Sequence, residues 1–171
     1  MKKIYRANLS ILALCLTMLS ACGGDTSSSP QPAAPTTAVV KIAATGQLDP
    51  GTMIGGIAVS GVLPSGVTIK AAPDAQNSSV LVANSGVVIA SGVAGRNAST
   101  LATYNAATRK VNIQVYDQDG FGTGEFVTVT CDILSGTTPT AGGFGLEGFT
   151  AKDLNGAEIN GLASRITVDI H

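Results

Sequence analysis

Short runs in which apolar and polar residues alternate recur along the chain. In Lys110–Tyr116, for example, Val111, Ile113 and Val115 fall on one face of the run and the polar side chains fall on the other. A period of two is typical of a strand with one buried face, and no long segment keeps the 3.6-residue period of a helix. The pattern therefore predicts an all-β protein.

Similar short runs recur along the chain, separated by Gly, Pro, Asn and Asp, which are the residues of tight turns. The predicted strands are Val39–Ala44, Ile54–Ser60, Val67–Ala71, Val80–Ala83, Val87–Ala90, Thr100–Asn105, Lys110–Tyr116, Phe126–Ile133, Leu146–Lys152 and Arg165–Ile170. The 21 glycines and the low share of charged residues, 12%, suit a fold with many turns. Strands of this length and spacing predict a β-sandwich or jelly roll of two sheets.

Cys131 lies in the alternating run Phe126–Ile133, on the same face as Val127 and Val129. A buried cysteine behaves as a small apolar residue, and we expect this role for Cys131 rather than a reactive one. The only histidine is the last residue, His171. A Cys-His or Ser-His-Asp device would have to recruit that terminal residue, so the sequence argues against both.

The first 21 residues have the layout of a secretory signal peptide. Three basic residues, Lys2, Lys3 and Arg6, precede the apolar run Leu9–Leu19. This run is too short to cross a bilayer but has the length of the apolar part of a signal peptide.

The four residues that end at Cys22, LSAC, resemble a bacterial lipobox. In that family the cysteine thiol receives a diacylglycerol, the signal is cleaved before it, and the new amino terminus is usually acylated with a fatty acid such as palmitate. Two or more acyl chains anchor a protein stably. The other roles open to Cys22 are a disulfide partner and a free thiol; we predict lipidation. Gly23, in place of an aspartate, favours the outer membrane, on its periplasmic or its external side.

Residues 22–37 are rich in Gly, Ser, Pro and Thr, a composition that buries too little apolar surface to fold. We predict a lipidated flexible linker there, followed by one folded domain at residues 38–171. Without the three basic residues of the leader, seven of the 10 basic residues remain against 11 acidic ones, a net charge of −4. There is no basic cluster, which argues against nucleic acid as a partner.

The acidic run Asp117–Gly120, followed by Glu125, has two interpretations. Calcium prefers several carboxylate and carbonyl oxygens from one loop, so Asp117, Asp119 and Glu125 are candidate ligands. The spacing departs from that of an EF-hand, however, and Asp and Gly are equally typical of a tight hairpin turn. We favour the hairpin and predict no cofactor. The same alternatives, with the same preference, apply to Asp153–Gly156.

No other motif indicates catalysis. The G-x-G-x-x-G match at Gly143–Gly148 lacks the preceding strand and following helix of a dinucleotide site, so we predict a glycine-rich bend that binds no nucleotide. Paired carboxylates for glycoside hydrolysis must flank a cleft, but the acidic residues mostly stand beside Gly, Asn or Pro. The sequence therefore predicts a protein that is not an enzyme.

Six aromatic residues follow the signal peptide, and tryptophan is absent: Tyr104, Tyr116, Phe121, Phe126, Phe144 and Phe149. Tyr116 and Phe126 fall opposite the apolar sets of their strands, so they are either exposed or cover a second core. Two such residues make a poor platform for crystalline polysaccharide.

Several segments resemble the cohesin domain and its relatives among bacterial carbohydrate-associated modules. Ile54–Val59 and Pro64–Ile69 look like the early strands of that family, and Tyr104–Ile113 resembles its mid-domain hairpin. Gly124–Cys131 is similar to its signature strand, and Phe149–Ile159 to its closing hairpin. The resemblance implies a cohesin-like jelly-roll sandwich of about nine strands that docks a partner on one sheet face; typical cohesins bind dockerin modules and assemble polysaccharide-degrading complexes.

The leading functional hypothesis is therefore a lipid-anchored, non-catalytic recognition module of the bacterial cell envelope. Its partner would be a protein, dockerin-like, or a carbohydrate. Candidate binding residues are the outward-facing ones of two predicted strands: Asn112, Gln114, Tyr116, Thr128 and Thr130. The alternative is a structural subunit of an envelope assembly or surface filament that offers an edge strand, and a hydrolase is a third class.

Overall fold

The computed structural model describes residues 34–171, with the exception of residues 76, 78 and 96. The predicted signal peptide at residues 1–21 and the predicted lipidation site, Cys22, lie outside the described residues, as does the predicted linker up to residue 33. No described residue belongs to a helix with the length and apolarity that crossing a membrane requires.

Eleven strands make up most of the described part of the chain. They are β1 (Thr37–Thr45), β2 (Ile54–Val62), β3 (Val67–Thr68), β4 (Ala71–Pro73), β5 (Leu81–Ala83), β6 (Val88–Ala90), β7 (Ser99–Asn105), β8 (Lys110–Phe121), β9 (Gly124–Ile133), β10 (Gly145–Asp153) and β11 (Ala163–Ile170). Two 3-10 turns, Gly92–Ala94 and Ala141–Gly143, are the helical elements of the described residues. The expected number of about nine strands is too low, partly because the predicted strand Val67–Ala71 divides into β3 and β4.

The strands form two antiparallel sheets that face each other, so the prediction of an all-β sandwich is confirmed. In the first sheet the order is β11-β1-β9-β3, and β6 pairs with β9 beside β3. In the second sheet the order is β10-β2-β8-β7-β5-β4. β3 and β4 lie in different sheets, and residues 69–70 carry the chain from one to the other.

Alternate residues of β1, β8 and β9 form the centre of the core between the sheets. Their side chains are at most 4% exposed: Val40, Ile42, Val111, Ile113, Val115, Val127, Val129 and Cys131. Burying one Val or Ile side chain stabilises the fold by about 1.5–3 kcal/mol. The period-two pattern of the sequence is thus the physical basis of the sandwich, and the core position predicted for Cys131 is confirmed.

Phe126 departs from the alternation of β9, because both it and the adjacent Val127 are buried. The register with β1 shifts at this point: Ile42 pairs with Val127, and Ala43 pairs with Glu125. The extra residue is a β-bulge, which turns two consecutive side chains to one face. Of the two alternatives for Phe126, exposed or covering a core, the structure shows the buried one.

Candidate functional site

An open groove of about 970 Å³ lies on the outer face of the second sheet, at the end of β8 that pairs with the start of β2, next to the end of β10. Its lining includes residues of all three strands, together with Asn97 and with Ser99, the first residue of β7. The residues that line the groove include Gly55, Gly56, Asn97, Ser99, Tyr116, Asp117, Gln118, Asp119, Thr150, Lys152, Asp153 and Leu154.

A large bulge in β8 shapes this groove. Tyr116 pairs with Gly56, and Phe121 pairs with Ile54, so the four residues Asp117–Gly120 lie opposite one residue of β2. β8 then continues to Phe121 and β9 begins at residue 124, so residues 122–123 carry the chain from the second sheet to the first. The predicted hairpin at Asp117–Gly120 is therefore wrong.

The physical reason for the bulge is the burial of Phe121, which is 2% exposed. To reach the core opposite Ile54, the strand must rejoin the ladder after the acidic run. Two local features accommodate the extra residues: the Asp119 backbone N–H donates to Asp117 Oδ1 at 2.9 Å, and Gly120 adopts a φ of +73°. Bulges of this kind commonly re-aim side chains at binding sites.

Tyr116 lines the groove, and two features set the position of its ring. Its hydroxyl donates to Gln114 Oε1 at 2.6 Å. The Cδ1–Cε1 edge of the ring lies over Gly56, where a Cβ atom would come within 3.2 Å of Cδ1. Tyr116 remains 52% exposed and is the one exposed aromatic residue of the described part of the chain.

The turn that follows β10 forms the opposite wall. As predicted for Asp153–Gly156, this segment is a turn, and the Asp153 carboxylate accepts the backbone N–H groups of Asn155 and Ala157, both at 2.8 Å. The hydrogen bond from Ala157 is the main cause that lowers the pKa of the Asp153 carboxyl below its ordinary value. Leu154 stays 50% exposed at the rim.

The groove is acidic. Three carboxylates, Asp117, Asp119 and Asp153, line it with one ammonium group, Lys152, so the charge of the lining is −2. Among the described residues, no group of three or more His, Cys, Asp and Glu side chains is arranged to hold a metal ion.

The structure separates the three candidate calcium ligands. Asp117 and Asp119 lie in the groove of the second sheet, whereas Glu125 belongs to the first sheet. There the Glu125 carboxylate accepts hydrogen bonds from the hydroxyls of Ser91, at 2.7 Å, and Thr128, at 3.2 Å. Glu125 thus ties the loop after β6 to β9.

The five candidate binding residues do not share one surface. Asn112, Gln114 and Tyr116 are exposed on the second sheet, whereas Thr128 and Thr130 lie on the outer face of the first. The two sets are on opposite sides of the sandwich, because the sequence shows which residues of a strand point outward but not which sheet the strand joins. Of this set, Tyr116 lines the groove and Gln114 holds its hydroxyl.

Sequence reasoning missed the residues that β2 and β10 contribute to the groove. Gly55 and Gly56 were part of a predicted strand, yet they let other chain segments approach closely: a Cβ at Gly55 would lie 2.8 Å from the Asp153 carbonyl oxygen. A glycine pair inside a strand is a signal for such an approach. Nothing in the sequence pointed to Lys152 or Thr150, which the pairing of β10 with β2 brings to the groove.

No protein-family model matches the chain, and no curated protein matches it. Among solved structures, the chain is similar to a non-cellulosomal cohesin from the hyperthermophilic archaeon Archaeoglobus fulgidus, with a TM-score of 0.48 and 14% sequence identity over 74% of this chain and 75% of that one. The assignment of the β-sandwich rests on the strands and pairing of this chain itself.

Proposed function

We propose that this protein is a non-catalytic recognition module, held at the bacterial cell envelope by a lipid on Cys22, that docks a protein or carbohydrate partner in the groove of the second sheet. The proposal depends on the position of Tyr116. Its half-exposed side chain lies in an open groove, where Gln114 accepts a hydrogen bond from its hydroxyl and Gly56 leaves room for its ring. Binding sites typically combine such an apolar body with a few placed polar groups.

The carboxylates of the groove support a binding role rather than a catalytic one. Asp153 is held ionised by backbone N–H groups, so it carries no proton to donate as a general acid at neutral pH. Asp117 is engaged with the backbone of its own bulge. The thiol of Cys131 lies in the core and not in the groove.

The membrane anchor and the location are proposed from the sequence. The basic start of the chain, the short apolar run Leu9–Leu19 and the lipobox-like residues before Cys22 support lipidation, and Gly23 supports the outer membrane. A lipid anchor would keep the module at the membrane surface.

A pull-down from solubilised envelope tests the binding role. The full chain and its Tyr116→Ala variant serve as baits, and Thr130→Ala is the matched control, because Thr130 is exposed on the opposite face. Loss of an aromatic anchor costs about 2 kcal/mol or more, so we expect at least about tenfold less partner with Tyr116→Ala. The control should recover as much as the wild type, and equal recovery by all three baits would contradict the proposal.

The second candidate function is a structural subunit of an envelope assembly. The observation that favours it is β11, an eight-residue strand at the end of the first sheet, which pairs with β1 alone among the described strands. An unpaired edge of this length is a template for pairing with another chain.

A further inference from the structure

We infer that the groove binds an oligosaccharide of neutral or amine-bearing sugar units, with one sugar ring packed on Tyr116. This inference rests on the proposed function, since it names the partner of the same groove. Three features of the groove carry it: a fixed aromatic ring, a mixed polar rim and an acidic lining.

The ring of Tyr116 is suited to contact the apolar face of a sugar. The hydrogen bond to Gln114 orients the ring, and the missing Cβ of Gly56 leaves room for its edge, which reduces the rotamer entropy that is lost on binding. The ring is 52% exposed and offers an apolar surface with a polar end. A hexose presents C–H groups on one face and hydroxyls around its edge, which is the complementary arrangement.

Side chains of both hydrogen-bonding kinds surround the ring. Lys152 supplies a donor, Asp119 supplies acceptors, and Asn97, Gln118 and Thr150 supply both. Each sugar hydroxyl donates one hydrogen bond and accepts others, so a mixed rim can satisfy it in either direction. The open shape and the volume of about 970 Å³ accommodate a chain of several sugar units.

The charge of the groove selects among sugars. With three carboxylates against one ammonium group, the lining attracts a protonated amine and repels a carboxylate or phosphate. A protonated amine next to the exposed ring also gains a cation–π interaction. Amino sugars should therefore bind best, neutral sugars less well and uronates least.

The same observations favour a sugar over a protein partner. A stable protein interface buries about 800 Å² on each side, and its centre is depleted of charged residues. Here the lining carries four charged side chains, and its exposed large apolar residues are Tyr116 and Leu154. Such a small, polar surface suits a sugar chain better than a protein partner.

Titration calorimetry of the full chain tests the inference. The chain is kept in a phosphocholine detergent, because sugar-based detergents would compete for the groove. The probes are hexamers of glucosamine, glucose and galacturonate, in a mildly acidic buffer that keeps the glucosamine amines protonated and the galacturonate carboxylates ionised. We expect binding in the order glucosamine, glucose, galacturonate, with the last at least about tenfold weaker than the first, a difference of about 1.4 kcal/mol.

Three variants locate the binding. Tyr116→Ala should weaken the glucosamine hexamer at least about tenfold, and Thr130→Ala, on the opposite sheet, should leave it unchanged. Asp119→Asn should reduce the preference for glucosamine over glucose about two- to fivefold, as expected for an exposed charge.

The outcomes separate this inference from the proposed function. If no hexamer binds but envelope partners are still lost with Tyr116→Ala, the sugar inference is overturned and a protein partner takes its place in the groove. If Tyr116→Ala changes neither hexamer binding nor partner recovery, both proposals fall. Preferential binding of galacturonate would overturn the charge argument and with it the inferred ligand class.

Discussion

At the scale of single residues, burial decides the chemistry of Cys131. Its side chain is fully inaccessible between the two sheets. Burial, and to a smaller extent the neighbouring charge of Asp132, raises the pKa of the Cys131 thiol to about 12. The thiolate is the reactive form of cysteine, so this thiol is inert at neutral pH while the protein is folded.

We therefore expect iodoacetamide at pH 8 to leave Cys131 unmodified in the native chain and to modify it fully after denaturation. Peptide mass spectrometry distinguishes this cysteine from Cys15 and Cys22. Rapid modification in the folded chain, at the rate of the denatured one, would contradict the buried position.

The same pKa shift predicts a pH dependence of stability. The unfolded thiol ionises above its ordinary pKa of 9.0 and the folded thiol only above about 12, so its contribution is fully present below pH 9 and is lost as the pH rises towards 12. Urea unfolding of wild type and Cys131→Ala isolates this effect from other titrating groups. The free energy of unfolding of the variant should be about 1–2 kcal/mol lower than that of the wild type at pH 7. This difference should be smaller at pH 10.5. The same difference at both pH values would contradict the raised pKa of Cys131.

At the scale of elements, the bulge of β8 depends on one backbone conformation. Gly120 has a φ of +73°, and a Cβ atom there would lie 2.7 Å from Cβ of Met53. An alanine thus meets both an unfavourable backbone conformation and a steric clash. The groove residues Asp117 and Asp119 belong to the same bulge, so its geometry and the binding site are coupled.

Gly120→Ala should therefore destabilise the protein by about 2–4 kcal/mol, the sum of a backbone penalty and local displacement. Gly86→Ala is the matched control: Gly86 has a φ of +82°, and a Cβ atom added there would meet nothing within 4 Å, so this substitution should cost only about 1 kcal/mol. Urea unfolding measures both. Equal losses of stability in the two variants would show that the clash between the added Cβ atom and Met53 costs no free energy.

The sequence predicted the strands well, because the alternation of apolar and polar residues within a strand follows from which of its own faces is buried. The alternation of Val111, Ile113 and Val115 identified β8 without knowledge of its neighbours. The bulge at Asp117–Gly120 was misjudged because Asp and Gly suit a bulge and a tight turn equally, and the deciding contact, Phe121 opposite Ile54, is distant in sequence.

The candidate site was predictable only in part for the same reason. Tyr116 was recognised as outward-facing from its own strand, but the groove around it depends on pairing between strands. Lys152 reaches the site because β10 pairs with β2, and Thr130 does not because β9 joins the other sheet. Strand order is a non-local property, which residue periodicity does not encode.

At the scale of the whole molecule, the strands at the ends of the sheets bear on the choice between a recognition module and an assembly subunit. β11 carries the exposed charged residues Arg165 and Asp169, and Asp169 lies 3.6 Å from Lys41. β10 is irregular, since its register with β2 shifts between Glu147 and Thr150. Charges and bulges on edge strands oppose pairing with a second chain.

We therefore expect the full chain, purified in detergent, to sediment as one protein chain per micelle at all concentrations tested. Removing the charges with Arg165→Thr and Asp169→Thr together should increase self-association, because the edge of β11 then lacks its protection.

The intact mass of the purified wild-type chain should show loss of residues 1–21 and a gain of acyl chains on Cys22. Polymers of the wild-type chain that grow with concentration would instead favour the structural subunit, and an unmodified Cys22 would remove the proposed anchor while leaving the groove as a separate question of binding.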